Sequence, residues 1–222
     1  MAMDIKICGL STAETIERAS ARGATHVGFI HFPKSPRHLS LDAMAALRPL
    51  VPPGVKLVVV TVDADDATLG AIAARVRPDM LQLHGHETPE RLAEVKRRTG
   101  LPAMKALSVG SAADLDAVAA YRPVADAILL DAKRPKGSEL PGGNGVSFDW
   151  RLLAALDPAT RYMLSGGLHA GNVAEALALV SPAGIDVSSG VESAPGVKDV
   201  ALIEAFFDAL DGAPPIQERK AS

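Results

Sequence analysis

Residues 4–30 read DIKICGLSTAETIERASARGATHVGFI and hold one complete strand–helix–strand unit. Asp4-Ile5-Lys6-Ile7-Cys8 has the alternating, β-branched character of a strand. Ser11-Thr12-Ala13-Glu14 has the spacing of a capping box, which predicts a helix over 12–22. Gly23 ends that helix, and a second strand follows at His26–Ile30 after a very short link. Two strands joined by a helix must lie parallel, because the crossover carries the chain back to the end from which it started.

The same alternation continues along the chain. Further strands are expected at 56–62, 80–83, 103–107, 127–130, 162–165 and 185–188. Helical patterns fall between and after them, at 41–50, 65–76, 88–99, 111–121, 149–156, 171–180 and 198–210. Ser40 before Leu41-Asp42, and Thr88 before Pro89, are helix starts, and Gly100 is a stop. Eight βα units predict an α/β protein built as a single (β/α)8 TIM barrel over residues 1–211, with a polar, frayed tail over 212–222. Helix-to-strand links are short, whereas long strand-to-helix loops span 31–40 and 131–148. In a barrel such loops share the C-terminal rim, where chemistry is done. A doubly wound open sheet is the alternative, but the first turn, Gly9-Leu10-Ser11, lacks the Gly-x-Gly-x-x-Gly nucleotide pattern.

Composition narrows the function. The chain has 222 residues, 48% of them hydrophobic and 22% charged, with a formal net charge of -3. No basic field draws it to nucleic acid or to an anionic membrane. No apolar run reaches membrane-spanning length, and residues 1–6 lack the pattern of a signal peptide, so a cytoplasmic protein is expected. The lone cysteine excludes an internal disulfide. Six histidines show no metal-ligand spacing.

Chemistry is expected where strands end. Cys8 closes the first strand, and a cysteine there is either inert filler or a reactive thiol at the rim. Asp131 closes the sixth strand and would face the same mouth. A thiolate and a carboxylic acid can move a proton within one substrate. Their reference pKa values, about 8.5 and 3.9, require help from the surroundings. Leu164-Ser165-Gly166-Gly167-Leu168 and Asp186-Val187-Ser188-Ser189-Gly190-Val191-Glu192 end strands seven and eight, where barrels commonly bind phosphate. Glycine lets backbone N–H groups approach an anion, and a short helix near Ser189 would point its N-terminus inward. Arg37, on the Pro-stiffened Ser35-Pro36-Arg37 turn, suits bidentate capture of a carboxylate.

Strand alternation puts Lys6 beneath Cys8 and Asp186 beneath Ser188. Strands one and eight adjoin in a closed barrel, so a Lys6–Asp186 ion pair inside it is expected, with Lys6 able to lower the pKa of Cys8. The alternative is a lysine that snorkels outward. Gln82 and His84 share a face at the end of strand four. There His84 would shape the pocket, hydrogen-bond locally or serve as a spare acid–base group.

Taken together, KICG (6–9), GFIHFPKSPR (28–37), LQLHG (81–85), LLD (129–131), LSGGL (164–168), DVSSGVE (186–192) and PGVKD (195–199) resemble the phosphoribosylanthranilate isomerases of tryptophan biosynthesis. The resemblance spans nearly the whole chain in order. It implies a (β/α)8 barrel that performs an Amadori rearrangement of a small phosphosugar with no cofactor and no metal. By the same resemblance Cys8 is the general base, Asp131 the general acid and Arg37 the contact to the anthranilate carboxylate. Gly166, Gly167, Ser189 and Gly190 would hold the phosphate, and the stretch 136–144 would be a lid. Rivals are the histidine-pathway phosphosugar isomerase, which resembles a carboxylate pair rather than Cys8, and the indole-glycerol-phosphate synthase barrel, which needs an N-terminal extension and a lysine acid. A phosphate-binding barrel that has lost catalysis is a third. Monomer and homodimer both remain open.

Overall fold

Side chains alternate between the inside and the outside of every barrel strand, and this period of two decides what reaches the functional rim. The computed structural model describes residues 3–133, 145 and 147–213. Eight strands, β1 (Asp4–Cys8), β2 (His26–Ile30), β3 (Lys56–Thr61), β4 (Met80–Leu83), β5 (Ala103–Val109), β6 (Ala127–Ala132), β7 (Met163–Leu164) and β8 (Gly184–Val187), close into one barrel in chain order. Every neighbouring pair is parallel, including β1 with β8. The (β/α)8 barrel expected from the alternation is therefore the fold. Among the described residues, no helix is long and apolar enough to cross a membrane. The expected lid stretch 136–144 and the tail beyond residue 213 lie outside the described residues.

Among the described residues, seven α-helices surround the barrel: α1 (Ala13–Ala21), α2 (Leu41–Leu47), α3 (Asp66–Ala71), α4 (Pro89–Thr99), α5 (Ala117–Tyr121), α6 (Val173–Leu179) and α7 (Val200–Asp211). Ser40 and Thr88 cap α2 and α4 as expected, accepting from the backbone N–H of Ala43 and Arg91. The cap of α1 is Thr12 rather than Ser11. Thr12 is extended (φ -133°, ψ 153°) and accepts from Thr15 N–H, so Glu14 sits at the second helical position and no reciprocal box forms. Residues 149–156 were expected to form an α-helix, but Trp150–Ala155 winds as a 3-10 helix. The Asp157-Pro158 step that follows opposes helical continuation. The helix expected over 65–76 relaxes into a π-turn at Ile72–Val76 and stops at Arg77 (φ 52°), which precedes Pro78.

A hairpin not foreseen from the sequence follows β8. Its strands β9 (Glu192–Ala194) and β10 (Val197–Lys198) are antiparallel, with Val197 paired to Ala194. Pro195 and Gly196 (φ 84°) are the central residues of the turn, and Gly supplies the positive φ that a type II turn demands.

Outward-facing side chains of the strands pack against the helices in one continuous apolar layer that includes Ile7, Val27, Leu57, Leu81, Leu130 and Ile185. Inside, Val58, Met80, Met104, Ala106, Leu129 and Met163 fill the floor. Above that floor Lys6 Nζ lies 2.8 Å from Asp186 Oδ1, with the side chains 0% and 5% exposed. Lys6 and Asp186 are register partners across the β1–β8 seam, and Ser165 Oγ donates to the second carboxylate oxygen at 3.4 Å. Outside the same seam, Arg22 at the end of α1 pairs with Glu204 and, at 2.8 Å, with Asp208 of α7, while its guanidinium rests 5.5 Å from the centre of the Phe207 ring.

Removing one partner of a buried ion pair strands the other charge. Asp186→Asn is therefore expected to lower unfolding stability by about 3 kcal/mol in urea titrations. The apolar double variant Lys6→Met/Asp186→Leu should recover most of that loss. A single variant as stable as the parent would show that the pair does not carry the seam.

Candidate functional site

The strands' C-terminal ends surround a cleft, at the rim where a (β/α)8 barrel carries its site. Cys8, Arg37, His84, Asp131, Gly166, Gly167, Asp186, Ser188 and Ser189 all line it. The expected site residues thus meet in one place, with two exceptions. Lys6 lies one layer below the wall. Gly190 is not on the wall: its Cα faces the preceding loop, where a Cβ would come 1.9 Å from the Leu168 carbonyl oxygen. Gly190 therefore lets loops seven and eight touch.

Cys8 is 5% exposed, at the inward end of β1. Room for its thiol comes from Gly28 on β2, where a Cβ would sit 2.9 Å from Cys8 Sγ. Glycine inside a strand often marks such close approach. Burial pushes the thiol pKa up; Lys6 pulls it down, Asp186 adds to the rise, Lys198 pulls it down, and the net direction is upward. The expectation that Lys6 lowers the thiol pKa is right about the sign of its own effect and wrong about the sum, because desolvation at a fully enclosed position is the largest contribution. Burial likewise works against the Lys6 ammonium, but Asp186 and Cys8 outweigh it and hold it above the ordinary lysine value.

Asp131 stands on β6, 4% exposed. Its Oδ1 accepts the backbone N–H of Ala132 at 2.9 Å, which fixes the carboxylate plane. Its Oδ2 lies 3.3 Å from His84 Nε2. The Nδ1 of that ring is 3.2 Å from Gln82 Nε2. Gln82 and His84 do share a face, and His84 stands against the Asp131 carboxylate.

Arg37 is 5% exposed, and its Nε and Nη2 donate to Glu192 Oε1 and Oε2 at 2.7 and 2.8 Å, a bidentate pair. Gly9 (φ 79°) lets the chain pass beneath it, since a Cβ there would meet Arg37 Cδ at 2.8 Å. Neither Glu192 nor Lys198 was singled out as a site residue from the sequence, yet both are buried beside the cleft. Lys198 Nζ donates to Glu192 Oε1 at 2.7 Å and to the Ser188 carbonyl at 2.8 Å. Burial would raise the Glu192 carboxyl, but Arg37 and Lys198 overcome it and hold its pKa below the usual carboxylate value. Burial lowers that of Lys198 despite Glu192. The Pro195-Gly196 turn between like-length polar stretches was the signal that could have exposed the hairpin carrying both residues.

The glycine loops turn tightly at the rim of the cleft. Gly166 (φ 92°) and Gly167 (φ 67°) are both left-handed, and a Cβ on Gly166 would lie 2.5 Å from Ala132 N. Ser189–Val191 forms the short helical turn expected after strand eight, here a single 3-10 turn. Ser188 Oγ donates to the Cys8 carbonyl at 3.1 Å, tying the loop after β8 to the end of β1.

Residues 5–209 match the family described as N-(5'-phosphoribosyl)anthranilate (PRA) isomerase. A Brucella canis protein named N-(5'-phosphoribosyl)anthranilate isomerase is 62% identical over 213 residues, which is 96% of either chain. The crystal structure of phosphoribosyl anthranilate isomerase from Thermotoga maritima superposes with a TM-score of 0.83 at 33% identity, covering 95% of this chain and all of that one. A crystal structure of a phosphoribosyl anthranilate isomerase in complex with reduced 1-(o-carboxyphenylamino)-1-deoxyribulose 5-phosphate superposes with a TM-score of 0.81 at 32% identity, covering 95% of this chain and all of that one. The match covers every strand that supplies the cleft, and the chain belongs to the N-(5'-phosphoribosyl)anthranilate isomerase family.

Proposed function

We propose that this protein converts N-(5'-phosphoribosyl)anthranilate to 1-(2-carboxyphenylamino)-1-deoxyribulose 5-phosphate, the Amadori step of tryptophan biosynthesis, in the cytosol and by acid–base catalysis alone. The observation that carries the reading is that Cys8 and Asp131, from different strands of the barrel, line one cleft whose walls also hold Arg37 and the Gly166-Gly167 loop. All of these residues come from one chain, so a monomer suffices and a homodimer would hold two complete sites.

In this reading the phosphate rests on the backbone of Gly166, Gly167 and Ser189, and the anthranilate carboxylate is directed toward Arg37. The two anchored ends stretch the ribose across the mouth. Asp131 protonates the furanose ring oxygen; the C1′–O bond breaks and the anthranilate nitrogen supplies electrons to form the protonated Schiff base. Cys8 thiolate then removes the C2′ proton, giving the enolamine. That species gains a proton at C1′ and loses its enol proton to become the ketose. Burial makes the Cys8 thiolate scarce at neutral pH but strongly basic once formed. Lys6 and Lys198 limit how scarce it becomes.

Cys8→Ser and Asp131→Asn are each expected to lower kcat by at least about a hundredfold with little change in urea midpoint, as loss of a general acid or base does. Fluorescence-monitored turnover of phosphoribosylanthranilate by the purified protein measures this, and near-parental kcat in either variant would sink the role given to that residue. The parent gene should rescue a tryptophan auxotroph that lacks this isomerase.

The direction of the Cys8 shift gives a second expectation. Iodoacetamide alkylation of Cys8 should rise with pH through a midpoint above that of the same thiol in the urea-unfolded chain, since a raised pKa keeps the folded thiol protonated to higher pH. Lys198→Met should move the folded midpoint higher still. A folded midpoint below the unfolded one would reverse the electrostatic account of the site.

A further inference from the structure

Both carboxylate oxygens of Glu192 are taken up by donors from three residues. Oε1 accepts from Arg37 Nε at 2.7 Å and from Lys198 Nζ at 2.7 Å, while Oε2 accepts from Arg37 Nη2 at 2.8 Å and from Gly196 N–H at 3.2 Å. The carboxylate side chain is 3% exposed and the two cationic side chains are 4% and 1% exposed. The cluster joins three parts of the chain. Arg37 belongs to the loop after β2, Glu192 and Lys198 are cross-strand partners in the β9–β10 hairpin, and Lys198 reaches Ser188 at the end of β8. Gly196 brings the hairpin onto the arginine loop so closely that a Cβ there would stand 2.4 Å from the Pro36 carbonyl oxygen.

A guanidinium on a loop has many rotamers and is costly to bury without a carboxylate. Glu192 removes both problems, because a bidentate pair fixes the plane of the fork as well as its position. Two basic side chains grip this one carboxylate from different directions. We infer that Glu192 is a positioning residue, which orients Arg37 through the bidentate pair and thereby sets the preference of the cleft for a substrate with a carboxylate on its aromatic ring. Glu192 does not touch the substrate; Lys198 holds the same carboxylate from the far side and keeps it from turning.

This role rests on the function proposed above, and its test separates the two. Two ligands are compared by calorimetry: reduced 1-(o-carboxyphenylamino)-1-deoxyribulose 5-phosphate and its phenylamino counterpart without the ring carboxylate. The parent should prefer the carboxylated ligand. Glu192→Gln should weaken that ligand on the order of tenfold to a hundredfold, the range that loss of a buried charge partner implies, and leave the counterpart within about twofold. With substrate the same variant should raise KM more than it lowers kcat. Equal weakening of both ligands would show general damage to the site, and no weakening would show that Arg37 orients itself; either result overturns the inference. A parent that binds both ligands equally would overturn the carboxylate contact itself, and the positioning role with it. If Glu192→Gln does not fold, Glu192→Asp keeps the charge and shortens the reach, and the same selective or uniform loss decides the matter.

Discussion

The ion pair between Lys6 and Asp186 is the contact on which the rest of the barrel is organised. It crosses the seam where the first strand meets the last, inside the barrel, with a 2.8 Å separation and almost no exposure. The layer below is wholly apolar, so each charge depends chiefly on the other, with Ser165 Oγ as a further donor to Asp186. Register follows from this. If β8 slid by one residue, Asp186 would turn outward into the helix layer and Lys6 would be left alone. The correct register places Cys8 one step above Lys6 and Ser188 one step above Asp186, at the mouth. The chemistry of the rim is thus aligned by a pair that stands beneath it.

The site above the seam is an arrangement of opposed charges in a desolvated place. Lys6 with Asp186 and Lys198 with Glu192 flank the thiol, and burial still prevails over both lysines. Asp131 is held apart on β6, with one oxygen committed to its neighbour's N–H and the other turned to His84. Thiol and carboxylate thereby stand on separate walls of the cleft. The glycines complete the division. Gly28 gives the thiol its room, and Gly166 lets the loop after β7 pass against β6.

Much of this was legible in the sequence because the barrel repeats one physical rule. Strand alternation alone puts Lys6, Cys8, Asp186 and Ser188 on the inner face, and the chain order of strands puts β1 beside β8. Positions with a strong local signal, such as the caps at Ser40 and Thr88 and the stop at Gly100, came out where they were read. What the sequence hid depends on contacts between distant segments. The start of α1 moved by one residue because Thr12 adopts the extended backbone of the cap. The partner of Arg37 lies 155 positions away on a hairpin with strands of three and two residues, too short to show a period. The net direction of the Cys8 shift required knowing how completely the thiol is enclosed, which no spacing reveals. Gly190 has the look of an anion-loop glycine, yet its freedom is spent on a neighbouring backbone.

The seam also has a meaning in time. Lys6 and Asp186 are separated by 180 positions, as are Cys8 and the Ser188 hydroxyl that grips its carbonyl. Contacts of such long loop closure are slow to form, because the entropy of the intervening chain must be lost before they reward it. A chain emerging from the ribosome can complete its first six βα units and still lack the cleft, since the thiol, the loop after β8 and the hairpin meet only when β8 docks. The completed cleft is therefore a mark of a closed barrel, absent from forms in which the seam is open.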